Sequence, residues 1–566
     1  MSRLAPTVTS SLTQNARLLL AITCITWFAV LCFVTSLTPT PFVFGDEAGY
    51  LLPTLYGFDA DNYQRWSILP QYPDYLYFWI YSFLPSDSLP ASAKILNAGF
   101  IAATAIPAYA VARRYLAIPI AAAFAAMVML SPISSFVRYV MPEPVYFFGF
   151  WLVMLVVLSA LDKSLLLSAT AGGALIGALS LIKPHALALT LGVGAFFLVR
   201  DRLRIRSAIA AITLFLTYYV ARVILAYVLT GEWKLSLSGG DYSGMLSGYH
   251  IDLLATAYNA IGHVCAIVTL IAVPLAVTLV VVIRRCFLQT RETSNQAVQR
   301  LLDLGLLACC ILLAMMAMTV YFSQSVYQIY PEVERITRLH GRYYIYVLPL
   351  FMLVTIALWQ NGIELSQLLP RRAVITLCGA MLVAAAVIVL TFETHTTDFP
   401  DLSVAILAMQ RFPFFAMLLL AAALALSYYG WGRIGTTNLL VGATIWWAAI
   451  GLVTTAALMA GKVFPPITPV DAAFFDSTDR SGLRGLVGRS DGFVIGSPTS
   501  FFDIYRTMFY LRSLSAGRIV PSGTEISDVD FPKTAHWAVV LPEVSYIGSS
   551  QVRHYGSLLV VRRHDD

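Results

Sequence analysis

The chain has 566 residues, of which 58% are hydrophobic and only 12% charged, and its mean hydropathy is +0.74. That balance excludes an ordinary water-soluble domain. The net charge of +6 is spread over short loops, with no basic patch interleaved with aromatics in a soluble segment, so no nucleic-acid partner is implied.

In chain order, apolar runs close to the ~20 residues needed to cross a bilayer begin at Leu18–Val34 and recur along most of the length. The first run is followed by others and reads as a span, not as a cleavable signal. About thirteen transmembrane helices are predicted, centred near residues 26, 102, 124, 152, 173, 192, 217, 270, 310, 351, 382, 420 and 449. The fold class is therefore a polytopic α-helical membrane protein.

Basic residues fall in alternate loops: Arg113-Arg114, Lys163, the Arg200 to Arg206 cluster, Arg284-Arg285 with Arg291 and Arg300, Arg371-Arg372, and Arg433. Short loops rich in Lys and Arg stay in the cytoplasm, which puts the N-terminus inside a plasma (inner) membrane and the other loops outside. Cys24, Cys32, Cys265, Cys309, Cys310 and Cys378 lie in predicted spans and Cys286 in a cytoplasmic loop, so no exported disulfide is expected. There is no zinc spacing and no phosphate-binding glycine loop.

Three outward segments exceed what a connection needs. The first, about 37–91, is rich in Tyr, Trp, Pro and Asp, with an amphipathic stretch around Asp74 to Phe83. A second, 321–342, mixes aromatics with Glu332, Glu334, Arg335, Arg338, His340 and Arg342. After the last span the composition changes, with strand-like runs at Phe493–Ile495, Ala538–Leu541 and Leu558–Val561 and a helical pattern from Phe501 to Leu511. Two domains follow: a transmembrane catalytic domain over 1–461 and a small extracytoplasmic α/β domain over 462–566.

Asp46 and Glu47 lie in Gly45-Asp46-Glu47-Ala48-Gly49-Tyr50, about ten residues beyond the first span. Two acids at a lipid boundary point to cation binding, proton transfer or orientation of a polar substrate. A solvated turn is the plain alternative. Glu143, between Pro142 and Pro144 at an outer helix start, suits catalysis or a helix cap equally. Lys183 and His185 bracket Pro184 at an outer turn, where phosphate contact competes with simple snorkelling. Arg222 lies inside the seventh span, where a charge requires a partner or a watery cavity.

With an odd number of spans, an acidic pair early in a long exported loop, further acids at outer helix ends and a trailing exported domain, the chain resembles the GT-C superfamily of integral-membrane glycosyltransferases. Asp46-Glu47 is similar to the family's first-loop acidic pair, and Arg138-Tyr139-Val140-Met141-Pro142-Glu143-Pro144 to the outer entry of its fourth helix. Lys183-Pro184 falls where relatives carry a lysine, and Gly341-Arg342-Tyr343-Tyr344 resembles the Arg-Tyr step before a late helix. No Trp-Trp-Asp motif of the oligosaccharyltransferase type is present, which argues against peptide N-glycosylation.

The resemblance implies transfer of a sugar from a polyprenyl-phosphate donor to a hydroxyl of a glycan, lipid or protein acceptor in the cell envelope, with inversion. Such a reaction needs a carboxylate base, an oxocarbenium-like passage and neutralisation of the departing phosphate. Asp46 is the expected base, with Glu47 tuning it and Glu143 as a further acid. Arg342, assisted by Arg338 or Arg335 and by Lys183 and His185, is expected to hold the phosphate. Tyr50, Tyr63, Trp66 and Tyr343 are candidate sugar-stacking groups, though aromatics of the first loop, Tyr56 and Tyr72 among them, suit interfacial anchoring as well. Asp46 and Glu143, with Asp59 or Asp61, would supply oxygen ligands for Mg²⁺ or Mn²⁺. Two other readings stay open. A transporter or flippase would use Arg222 and the proline-broken helices near Pro107 and Pro274; a polymerase or ligase acting on lipid diphosphates would use the loop from Glu332 to Arg342.

Overall fold

The structure is a computed structural model that describes residues 6–36, 45–56, 73–85, 88–236, 252–283, 296–329, 335–361, 371–393, 492–497, 503–504, 507, 516–531, 536–555 and 558–562. Its helices are α1 Pro6–Ser36, α2 Gly45–Tyr56, α3 Tyr75–Ser82, α4 Leu89–Ala103, α5 Ala105–Ala112, α6 Ile118–Met129, α7 Glu143–Leu161, α8 Leu165–Leu179, α9 Ala186–Arg200, α10 Ile205–Thr230, α11 Leu253–Ile283, α12 Gln296–Ile329, α13 Leu348–Gln360 and α14 Arg371–Thr391. The predicted centres from 26 to 382 all fall inside helices, while those at 420 and 449 lie outside the described residues.

Six helices among the described residues are long and apolar enough to cross a membrane, or seven if the pair Ile118–Met129 and Pro132–Arg138, bent by 43°, forms one span. Helices α8, α9 and α13 are apolar but shorter. Of the thirteen predicted spans, two lie outside the described residues; among the described ones, six or seven helices have the length of a full span and α8, α9 and α13 are shorter. The outer faces suit lipid. On α10, Ile209, Ile212, Leu216 and Val220 are all exposed at helical spacing, a stripe that water would penalise and a bilayer accepts.

Local chemistry sets the helix ends. Pro90, Pro119, Pro144 and Pro349 occupy first turns, where the missing N–H costs nothing. Ser164 caps α8 by accepting from the Leu167 amide at 3.0 Å, and Gly231 ends α10 in the left-handed region at φ +73°. Helix α11 breaks at Ile271, three residues before Pro274, which cannot donate to the preceding turn.

The tightest pairing in the bundle joins α8 to α10. It rests on Gly173-Ala174-Leu175-Ile176-Gly177, a small-xxx-small step. A Cβ on Gly173 would strike the Thr217 hydroxyl and the Leu214 carbonyl; one on Gly177 would strike the Tyr218 carbonyl and lie 3.1 Å from the Arg222 amide nitrogen. The close approach brings Arg222 alongside Ser180 at the end of α8. Arg222 Nη1 donates to the Ser180 carbonyl at 3.2 Å and to its hydroxyl at 3.0 Å, and Nε donates to the Ser236 carbonyl at 3.2 Å. Two backbone carbonyls and the Ser180 hydroxyl are thus the partners that the intramembrane arginine required.

In the C-terminal region, β1 Gly492–Gly496, β2 Ala516–Ile519, β4 Trp537–Val540, β6 Gln551–Tyr555 and β7 Leu558–Arg562 form one sheet in the order β2-β1-β4-β7-β6. Pairing is parallel for β1 with β2 and β4, and antiparallel for β7 with β4 and β6. β3 Glu525–Ile526 and β5 Ser545–Tyr546 form a separate parallel pair. The three strand-like runs read from the sequence are β1, β4 and β7; of the helical pattern, Asp503, Ile504 and Thr507 are described and helical.

The glycine contact yields a direct test. Gly177→Leu is expected to wedge α10 from α8 and to cost about 1–3 kcal/mol, read as a lowered melting temperature in detergent; unchanged melting would mean that the helices do not depend on this approach.

Candidate functional site

The alternating helices bring the ends of α8, α10 and α12 together with the starts of α3, α7, α9 and α13 at one end of the bundle. Polar residues collect there in two buried groups on either side of α3.

The first group centres on Glu143 and Lys183, which are 1% and 3% exposed and form an ion pair at 2.5 Å between Lys183 Nζ and Glu143 Oε1. Glu143 opens α7, where its charge also suits the helix dipole. Lys183 occupies the turn between α8 and α9. Burial lowers its proton affinity, Glu143 restores part of it, and the nearby Arg342 lowers it further. The Tyr343 ring stacks on His185 with centroids 4.1 Å apart, lies 5.2 Å from Lys183 Nζ and 5.1 Å from the Arg342 guanidinium, and its hydroxyl accepts from Arg342 Nη2 at 3.1 Å. His340 stacks on the other arm of this array, 5.8 Å from Tyr343. Burial, with the positive charges of Lys183 and Arg342, pushes His185 well below the ordinary histidine value and keeps it neutral.

Asp74 joins this group from the start of α3. The Leu181 carbonyl, two residues before Lys183, accepts from the amides of Leu76 at 2.9 Å and Tyr77 at 3.2 Å, which ties α3 to the Lys183 turn. Asp74 is fully buried, and neither carboxylate oxygen has a hydrogen-bond partner among the described residues. Burial pushes its proton affinity well above the ordinary carboxylate range; Lys183 and Arg222 offset part of the rise and Glu143 adds to it. Asp74 carries no motif, and the sequence marks it only as the start of an amphipathic stretch. That stretch is α3, and it buries Tyr77, Phe78 and Tyr81 while Trp79 and Phe83 stay exposed.

The second group contains Glu47. Its acidic pair lies in the first turn of α2, not in an extended loop. Glu47 is fully buried and accepts from the Val140 amide at 2.8 Å. Lys94 on α4 and Arg138, both buried, lie within electrostatic reach of one another, and Lys94 also feels Glu47. Asn97 donates to the Tyr139 carbonyl at 2.9 Å and accepts from the Tyr81 hydroxyl. The stacked rings of Tyr77 and Tyr81, 4.2 Å apart, stand between the two groups, since Tyr77 senses both Glu143 and Glu47. Tyr50 packs edge-on against Tyr77 at 5.3 Å.

Of the predicted site residues, Glu143, Lys183, His185, Arg342 and Tyr343 converge, and Glu47 and Tyr50 lie across α3 from them. Asp46 is in α2, with its side chain outside the described residues; Tyr63, Trp66, Asp59 and Asp61 lie outside them altogether. Arg335 pairs with Glu393 at 2.7 Å on the surface, so it is held apart from the phosphate role expected of it. Arg338 fixes a loop: its carbonyl accepts from Asn259 and its backbone bridges to Glu393.

Of the expected metal ligands, Glu143 is described, while the side chains of Asp46, Asp59 and Asp61 lie outside the described residues. An ammonium already occupies one of the Glu143 oxygens, and among the described residues no three His, Cys, Asp or Glu side chains are grouped to hold an ion. The donor set around Glu143 suits an ion pair, not a Mg²⁺ or Mn²⁺ site.

No family model and no curated protein matches the sequence. Among solved structures, the chain is similar to the oligosaccharyltransferase of Archaeoglobus fulgidus in its apo form, with a TM-score of 0.38 and 12% identity over 95% of this chain and 70% of that one. It is also similar to the same organism's oligosaccharyltransferase AglB in complex with an inhibitory peptide and a dolichol-phosphate, with a TM-score of 0.35 and 12% identity over 92% and 69%. The complex of that enzyme with Zn and sulfate gives a TM-score of 0.34 and 13% identity over 91% and 68%. TM-scores of this size relate shapes only loosely, and the functional reading rests on the residues themselves.

Glu143→Gln leaves the Lys183 ammonium buried without its carboxylate, for an expected loss of about 3–5 kcal/mol. Pairing it with Lys183→Met should recover most of that loss, because no unpaired charge remains. Melting curves of both variants decide the point; a single variant as stable as wild type would show that the pair is solvated.

Proposed function

We propose that this chain is a GT-C-like integral-membrane glycosyltransferase that moves a sugar from a polyprenyl-phosphate donor to an acceptor hydroxyl at the extracytoplasmic face. The observation that carries the reading is the charge of the buried group. Lys183, Arg222 and Arg342 gather around the acids Glu143 and Asp74, and Asp74 is biased toward its neutral form. A water-poor site with excess positive charge favours an anion, and one beside the lipid suits a phosphate whose chain stays in the membrane.

Arg342 and Lys183 then hold the donor phosphate, with the guanidinium supplying paired hydrogen bonds and Glu143 fixing the position of Lys183. The neutral His185 and the Tyr343 ring offer a stacking and hydrogen-bonding wall to a sugar. The acceptor oxygen attacks the anomeric carbon, its proton passes to Asp46, and the bond from that carbon to the phosphate oxygen breaks on the opposite face. Inversion follows from the single displacement. Glu47, anchored on the Val140 amide, keeps the first turn of α2 in place.

Purified protein supplied with a panel of polyprenyl-phosphate sugars and acceptors should transfer one of them, and Asp46→Asn should lower the rate by about 10²–10⁴-fold. Equal transfer by both proteins would remove Asp46 from the base role. EDTA should leave transfer intact, given the ion pair at Glu143; abolition restored by a divalent cation would reverse that. The break in α11 at Ile271 keeps a transporter in view. Substrate uptake into vesicles without transfer from any donor would favour that alternative.

A further inference from the structure

The mechanism above leaves one buried acid unused. Asp74 is wholly shielded from solvent, both its oxygens lack a hydrogen-bond partner among the described residues, and no ion pair ties it to a cation. Such a group normally costs several kcal/mol unless it is neutral or meets a ligand. Its position is nonetheless fixed, because the Leu76 and Tyr77 amides, in the first turn of α3, are held by the Leu181 carbonyl. The charged groups that face it are Lys183 from the α8–α9 turn, Arg222 from α10 and Glu143 from α7, with Tyr75 next to it in the chain. It thus stands among the groups assigned to the donor phosphate.

We propose that Asp74 touches the lipid phosphate and donates a proton to the oxygen that departs from the sugar. The inference rests on the transferase reading. As the bond between the anomeric carbon and the phosphate oxygen breaks, its electron pair stays on that oxygen, which takes the Asp74 proton. The product is a polyprenyl phosphate monoanion, and the new Asp74 carboxylate is stabilised by Lys183 and Arg222. Asp46 meanwhile holds the acceptor's proton, so charge and protons balance, and both acids reset through solvent after release. Burial favours the protonated starting form of Asp74, and the flanking cations make the charged product form accessible.

Calorimetric titration of the full chain in detergent with a short-chain polyprenyl phosphate tests the contact without requiring turnover. As pH is raised above the second phosphate ionisation near ~6, wild-type affinity should fall roughly tenfold as Asp74 loses its proton and a carboxylate comes to face the phosphate. Asp74→Asn should be insensitive over the same range, whereas Asp74→Glu should keep the dependence. In the transfer assay, kcat for Asp74→Asn should drop at least tenfold and its alkaline decline should disappear. Identical pH dependence of binding in wild type and Asp74→Asn, or a flat wild-type response, would overturn the proposal. A wild type that captures polyprenyl phosphate with this pH dependence yet transfers no sugar would refute the transferase reading instead.

Discussion

The Glu143–Lys183 ion pair is the constraint around which one end of the bundle is organised. Two full charges sit almost completely out of water, and in that setting their attraction offsets a desolvation cost of several kcal/mol per ion only if the geometry is close and the partners cannot drift. Replacing both with apolar groups would give a bundle at least as stable. A pair so placed is therefore poor evidence of a stability device and good evidence that the site needs an ammonium held at a fixed point. Its neighbours agree: Tyr343 packs against the Lys183 charge, His185 stays neutral beside it, and Arg342 lies on the same ring.

That fixed point follows from how the helices meet. Gly173 and Gly177 let α10 ride directly on α8, which delivers Arg222 to Ser180 and aligns the turn that carries Lys183. The Leu181 carbonyl in that turn then receives the start of α3, so the four residues from Ser180 to Lys183 position Lys183, Arg222 and Asp74 together. On the far side, the tyrosines of α3 form the wall against which α2 and Glu47 rest. The short helix α3 is thus the shared partition between the Glu143–Lys183 group and the acidic pair.

Much of this was legible in the sequence, and the parts that were not share a cause. Topology from the basic loops brought Glu143, Lys183, His185 and Arg342 to one side of the membrane, because helix alternation needs only apolar length and charge bias to be read. Span length was less legible: α8 and α13 are apolar but shorter than the six long helices, and composition fixes neither where a helix ends nor how long it runs. The partner of Arg222 was hidden because backbone carbonyls leave no mark in residue types. Asp74 escaped for a related reason: burial of a lone loop carboxylate comes entirely from long-range packing, and its neighbours in sequence, Pro73 and Tyr75, suggested only an interface. Asp46 and Glu47 were recognised as a pair, but Gly45 was not recognised as the start of a helix.

The central claim is that the buried cations around Lys183 receive a lipid phosphate, and a structure of the full chain with a short-chain polyprenyl phosphate tests it most directly. The account predicts a phosphate group within hydrogen-bond distance of Arg342 and Lys183, with Glu143 still on the ammonium. A phosphate bound elsewhere, with the Glu143–Lys183 group closed and unchanged, would contradict it.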